Sequence, residues 1–363
     1  MEFRMEFGLL YEWGIPSGTS PAGEAQFFND VVGQVKLAED VGFKSVWSVE
    51  HHFLDGFSSA SAPEVLLSFI AAATETIRIG HGVRLLPYPY NHPIRAAEQA
   101  ATLDLLSGGR LEFGSGRSAT VTELGGFNID PSQTRDMWEE SLRLIVEAWT
   151  NHKIEHHGEF FDVPERAVIP KPLQGPHPPL WMSATSPDSH AVAGKNGLGL
   201  LSFTLALAND ELKRRVDLYR EDIKTCEPIG KTVNNQVAVF TMAHCAATDE
   251  EARANAEDGV MNYQRDHVEL LCQMLQDGAA PKQSYEYYER FLGVDYDKFT
   301  YEYLQDRDMI MVGSPERCIQ VAKQYEEIGV DRLLCHLQFR GMSNEKIRES
   351  IRLFGEEVIP AFS

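Results

Sequence analysis

A β-branched and aromatic run stops abruptly in the stretch KSVWSVEHHFLDG (44–56), where Glu50, His51 and His52 stand side by side before a glycine-containing turn. Histidine, with an unperturbed pKa of about 6.5, exchanges protons near neutrality, so one imidazole at a strand end suits proton transfer. A metal site would need both imidazoles to converge. Successive strand residues point to opposite faces, so His51 and His52 converge only if the strand has already ended. Carboxylates that could complete a metal set are not evident at the other strand ends, so no metal is expected. The plainer alternative is histidines hydrogen-bonded at a crowded rim.

A second group lies in FGSGRSA (113–119), where Gly114, Gly116 and Ala119 match the G-x-G-x-x-A spacing of a dinucleotide-binding turn. That motif should open a helix, but TVTELGGFNIDP follows, which is turn-rich and poorly helical. The dinucleotide reading therefore fails, and Arg117 remains: a cation among small residues whose backbone N–H groups are accessible, an arrangement that attracts anions. An ion pair to a rim carboxylate would explain it equally. MSATSPDSHAVAG (182–194) adds Ser183, Thr185 and Ser186 before Pro187, at what reads as a helix start. Unpaired N–H groups and the positive dipole end bind phosphate there, although Ser186 could serve only as a cap.

The elements that must position these residues alternate along the chain. Strand-like runs fall at 7–10, 43–49, 77–86, 110–116, 179–184, 197–203, 235–245 and 331–339. Helical stretches separate them near 24–41, 63–74, 94–107, 134–150, 187–195, 209–225, 249–275 and 343–358. In the fourth, Trp138, Leu142, Ile145 and Trp149 make one apolar face. Several strands are continuously apolar, as parallel strands covered on both sides should be. Eight such units predict an α/β (β/α)8 TIM barrel formed by one domain over 1–363, with working residues at the C-terminal strand ends. Two stretches interrupt the rhythm, as insertions after strands four and seven. Residues 151–178 are rich in Pro, His and Gly; residues 276–310 are long and aromatic, carrying Tyr285, Tyr287, Tyr288 and Phe291 among others. The second reads either as a lid or as an extra helical hairpin.

Composition narrows the partners. Apolar residues make up 43% and charged residues 24% of 363, ordinary for a globular protein. The formal net charge of −21 opposes binding to nucleic acid or to an anionic membrane surface. No apolar run approaches the ~20 residues of a membrane span, and the acidic N-terminus lacks the features of a signal peptide. Five cysteines occur singly, without disulfide or metal spacing, which fits a reducing cytoplasm.

Taken together, EHHF after the second strand, IRIGHGVRLLP, HPIRAAEQAATLDLLSGGRLEFGSGR and GSPERCIQVAKQYEEIGVDRLLCHLQF resemble the bacterial luciferase-like family of flavin-dependent monooxygenases. The likeness runs along nearly the whole chain and is most specific over 43–128 and 312–339. It implies a barrel using reduced FMN, supplied by a separate flavin reductase, to activate O2 as a flavin peroxide and oxygenate a small organic substrate. It also implies a homodimer. By position, His51 matches the family's catalytic acid/base beside the flavin and His52 a neighbouring pocket histidine. Arg117 matches the arginine that grips the FMN phosphate, with Ser183, Thr185 and Ser186 in the loop holding the same phosphate. Gly82 and Val83 fall where the family has a non-prolyl cis peptide, and the aromatic stretch 276–310 falls where it carries its lid. The chain departs from bacterial luciferase itself in having Gly116 where a reactive cysteine stands, and Ser183–Ala184 where a glutamate and serine open the phosphate loop. A dark oxygenation is therefore expected rather than light emission. The alternatives that stay open are a deazaflavin-dependent oxidoreductase of the same fold, a catalytically silent flavin-binding subunit, and a metal-dependent barrel hydrolase.

Overall fold

Every side chain of Val237–Cys245 is buried, with no polar alternation, so both faces of this strand must be covered. In the computed structural model, which describes residues 4–118, 120–203, 207–276 and 299–362, the strand is a stave of a closed parallel barrel. The staves are β1 (Glu6–Tyr11), β2 (Ser45–Ser48), β3 (Arg78–His81), β5 (Leu111–Gly116), β8 (Leu180–Ala184), β9 (Gly199–Phe203), β10 (Val237–Cys245) and β12 (Arg332–His336). They pair in that order, and β12 closes the ring on β1, with Phe7 opposite Leu333 and Gly8 opposite Leu334. All eight expected strands are present, and the barrel matches the expected fold.

The helices between them cover the outside: α1 (Pro21–Asp40), α2 (Pro63–Ala73), α3 (Pro93–Leu106), α5 (Thr134–Thr150), α6 (Pro187–Lys195), α7 (Asn209–Asp222) and α8 (Asp249–Gln276), then Pro315–Ile328 and Asn344–Leu353. Trp138, Leu142, Ile145 and Trp149 of α5 are all buried, as their spacing requires. Burying a side chain of this size contributes about 1.5–3 kcal/mol, so these four anchor α5. Close approach explains one barrel glycine: a Cβ at Gly80 would lie 2.2 Å from the Trp47 ring, which packs edge-on against Trp181 at 5.4 Å.

The floor of the barrel is plugged by charge. Glu112 is buried and accepts from Trp181 Nε1 at 2.7 Å and Arg332 at 2.8 Å, and it is paired with Arg78. Such a group persists when its hydrogen bonds are complete. With the N-terminal end filled, the open volume lies at the C-terminal end, where the loops carry the sequence-selected residues.

Four details depart from the pattern read in sequence. The run 77–86 is interrupted: β3 ends at His81, the Gly82–Val83 peptide is cis, and a short β4 (Arg84–Leu85) then pairs with β5. The stretch after Arg117 is not merely turn, because Val121–Gly126 forms a short helix, α4, capped by the Thr120 hydroxyl. Its start, Val121, lies beyond the whole G-x-G-x-x-A run rather than on its glycines. The 151–178 segment contains an antiparallel hairpin, β6 (Lys153–His157) with β7 (Asp162–Ala167). Another short strand, β11 (Met311–Gly313), extends the far end of β10. Of the expected lid at 276–310, residues 277–298 lie outside the described residues, and a helix, Tyr301–Asp306, follows with Tyr301 buried. Among the described residues no helix is long and apolar enough to cross a membrane.

Candidate active site

One cavity at the C-terminal end of the barrel gathers most of the selected residues: His51, Gly82, Val83, Arg117, Ser183, Thr185 and Ser186 all line it. His52 does not. The strand ends deliver them, and three of the turns are strained. Trp13, Phe53 and Ser118 take positive φ (57°, 62° and 66°) although none is glycine. They follow β1, His52 and Arg117, and strain of this kind costs about 1–3 kcal/mol and clusters at functional sites.

His51 is held between two carboxylates. Its Nδ1–H donates to Glu123 Oε1 at 3.0 Å, and its Nε2 lies 3.6 Å from Glu12 Oε2. Burial alone would push the imidazole's pKa down. Glu123, by charge and hydrogen bond, then Glu12 and Glu50, reverse this and raise it to about 9. Glu123 is fully buried and also accepts from the His52 backbone N–H, Ser118 Oγ and Thr120 Oγ1. Burial would raise its pKa, but His51, the Thr120 hydroxyl and the His52 N–H hold it below the usual carboxylate value. Glu12 behaves oppositely. Burial pushes its carboxyl up, and the opposing pull of His51 and of the Tyr263 hydroxyl does not cancel this.

His52 faces another way. Its ring stacks on Tyr90 (centroids 5.6 Å apart, 18° between planes) and meets Phe127 edge-on, while Nε2 reaches Glu50 Oε1 at 3.3 Å. Glu50 accepts from the Leu85 N–H at 2.8 Å and from Asn91 at 2.9 Å, so it pins the segment just after the cis peptide. The two histidines diverge, and among the described residues no cluster of His, Cys, Asp and Glu is arranged to hold a metal ion.

The other wall is cationic and rich in hydroxyls. Arg117 donates to Thr134 Oγ1 at 3.3 Å, and Arg135, at the start of α5, lines the same space. Ser186 caps α6 in a reciprocal capping box with Ser189, and the Ser189 hydroxyl also accepts from the Thr185 N–H at 3.1 Å. Arg215, buried behind this turn, donates to the Thr185 carbonyl at 2.8 Å. Gly116 leaves the space between: a Cβ there would sit 2.5 Å from Val83 Cγ2 and 2.8 Å from Ser183 Oγ. A cysteine at this position would not fit the packing. The apolar wall comprises Leu10, Val49, Phe203 and Phe240, with Phe203 and Phe240 stacked at 4.6 Å. His267 of α8 also lines it, stacked on Phe203 and held neutral, at a pKa of about 3, by burial with the His51 charge adding.

Glu12, Glu123, Arg135, Tyr263 and His267 are among the residues that the sequence reading missed. Glu123 had a signal: Thr120 and Glu123 have the T-x-x-E spacing of a helix start. Glu12 follows a strand end, as working residues of a barrel do. Tyr263 and His267 carry none, since they belong to a long helix and meet Glu12 and the cavity, respectively, only through the fold.

Comparison with known proteins gives a consistent result. The sequence model for luciferase-like monooxygenases matches residues 5–332. The chain is 27% identical over 344 residues to the oxygenase component of the flavin-dependent trigonelline monooxygenase of Acinetobacter baylyi, covering 94% of this chain and 91% of that one. The oxygenating constituent of 3,6-diketocamphane monooxygenase from Pseudomonas putida, solved with FMN, superposes with a TM-score of 0.79 at 23% identity, over 99% of both chains. The coenzyme F420 dependent tetrahydromethanopterin reductase of Methanopyrus kandleri shares the fold at a TM-score of 0.70 and 20% identity, over 99% of this chain and all of that one.

Proposed function

The chain belongs to the luciferase-like monooxygenase family, and from that premise we propose that it is an FMN-dependent monooxygenase acting on a small organic substrate. The observation that carries this reading is one cavity bordered by three different chemistries. A cationic, hydroxyl-bearing wall (Arg117, Arg135, Ser183, Thr185, Ser186) suits a phosphate. A narrow glycine-lined slot at Gly82, Val83 and Gly116 suits a flat ring. A protonatable histidine, His51, stands beside an aromatic pocket. These residues fit FMN, with Arg117 and the first turn of α6 holding its phosphate. When bound, reduced FMN supplies the electrons that activate O2.

The chain's own residues have separable tasks. His51, cationic at neutral pH, borders the cavity with a proton it can deliver to a developing anion. Glu123 fixes the ring through Nδ1. Phe203, Phe240 and Leu10 exclude water and favour an apolar or aromatic substrate. His52, turned to Tyr90 and Phe127, supports the wall and makes no approach to the reacting atoms. The whole site belongs to one barrel domain. A separate reductase supplies reduced FMN, a division of labour that suits a relative of the oxygenase component named above. Helices α2 and α3, packed together, expose Val65, Phe69, Leu105 and Leu106, which favours burial of this face in a homodimer.

The second reading, a deazaflavin-dependent oxidoreductase, has the shared fold of the F420 enzyme in its favour. Oxygen uptake separates the two. With a flavin reductase, NADH, FMN and aromatic candidate substrates, the protein should couple O2 consumption to loss of one substrate. Absence of coupled uptake across such a panel, with reduced deazaflavin oxidised instead, would establish the alternative.

A further inference from the structure

Glu12 stands one residue beyond β1, at the working end of the barrel. Its side chain is 5% exposed, and Oε1 accepts from Tyr263 at 3.0 Å. Oε2 has no hydrogen-bond partner, although it lies 3.6 Å from His51 Nε2. Leaving a buried carboxylate oxygen unbonded costs about 1–3 kcal/mol or more. The next residue, Trp13, adds strain through its left-handed backbone, and its indole is tied to Ser48 Oγ at 2.8 Å. The fold thus spends stability to aim a carboxylate at the imidazole from the side opposite Glu123.

We propose that Glu12 is a positioning residue for His51: tethered by Tyr263, it takes the Nε2 proton from the imidazolium and returns it, while Glu123 retains the proton on Nδ1. A small side-chain rotation closes the gap to hydrogen-bond length. One proton moves; the N–H bond at Nε2 breaks as the O–H bond at Glu12 Oε2 forms, and no other reactant is consumed. Glu12 and His51 then titrate as a pair. The other groups facing them are Glu123 from α4, Glu50 after β2, and Tyr263 and His267 from α8.

This inference rests on the reading of His51 as the proton-transfer group, and its test needs no flavin. Long-range 1H–15N NMR of the flavin-free protein follows the His51 ring through pH in wild type, Glu12→Gln and Glu12→Asp. Loss of the charge in Glu12→Gln should lower the His51 midpoint by about one pH unit or more. Glu12→Asp, which keeps the charge on a shorter arm, should shift it part of the way. The alkaline limb of the oxygenation pH profile should move in the same order. A His51 midpoint at the wild-type value in natively folded Glu12→Gln overturns the proposal. If Glu12→Gln does not fold, a wild-type midpoint in Glu12→Asp overturns it alone. Failure of the protein to bind reduced FMN would leave these titrations untouched, so the two readings fail separately.

Discussion

His51 and Arg117 line one cavity but are asked for different chemistry, so their truncations should separate. His51→Ala should leave reduced-FMN affinity nearly intact and slow oxygenation by about 10²–10⁴-fold, the usual worth of a positioned acid or base. Single-turnover rates measure this, and an unchanged rate removes His51 from catalysis. Gly116→Ala tests the slot, because the new Cβ meets Val83 and Ser183 well inside contact distance. Overpacking of this kind costs about 1–3 kcal/mol, and flavin binding should fall with the melting temperature. A fully stable, flavin-binding Gly116→Ala would show that the slot is wider than its glycines imply. His51 and Arg117 were legible in sequence because each ends a strand beside a turn. The tether behind Glu12 was not, since Glu12 and Tyr263 are 251 residues apart and meet only in the folded barrel.

At the scale of elements, the parallel staves were legible because burial on both faces removes polar alternation, and this shows in runs such as VAVFTMAHC. The short helix α4 escaped notice. Six residues with two glycines carry too little periodicity, and α4 exists to place Glu123, with Thr120 as cap. The α6 turn offers a test at this scale. Ser186→Ala removes a reciprocal capping box and should cost about 1 kcal/mol, read as a small fall in melting temperature. If the turn also holds phosphate, reduced-FMN affinity falls in the same variant. An affinity equal to wild type would confine Ser186 to capping.

Across the whole molecule, stability should depend on pH in a way set by its histidines. Burial holds His81, His190, His244, His267 and His336 neutral, with pKa values of about 3 to 4. Their folded values lie below the unfolded value, so the unfolded chain binds more protons in acid. Stability is then lost as pH falls from about 6.5 toward 4. His51 has the opposite sign: its folded pKa is raised to about 9, so its contribution is complete below about 6.5 and lost as pH rises through 9. Five groups oppose one, so melting temperature should peak near neutrality and fall more steeply on the acid side. A melting temperature that keeps rising into acid would contradict the neutral assignment of these buried rings.

The central claim, that this cavity is a reduced-flavin site gripped through Arg117, is tested most directly by anaerobic equilibrium titration with reduced FMN. Wild type and His51→Ala should bind one FMN per chain with similar affinity. Arg117→Ala, having lost a charge-assisted contact worth about 1.5–3 kcal/mol, should bind at least about tenfold more weakly. Equal affinity in Arg117→Ala, or no saturable binding in wild type, would contradict it.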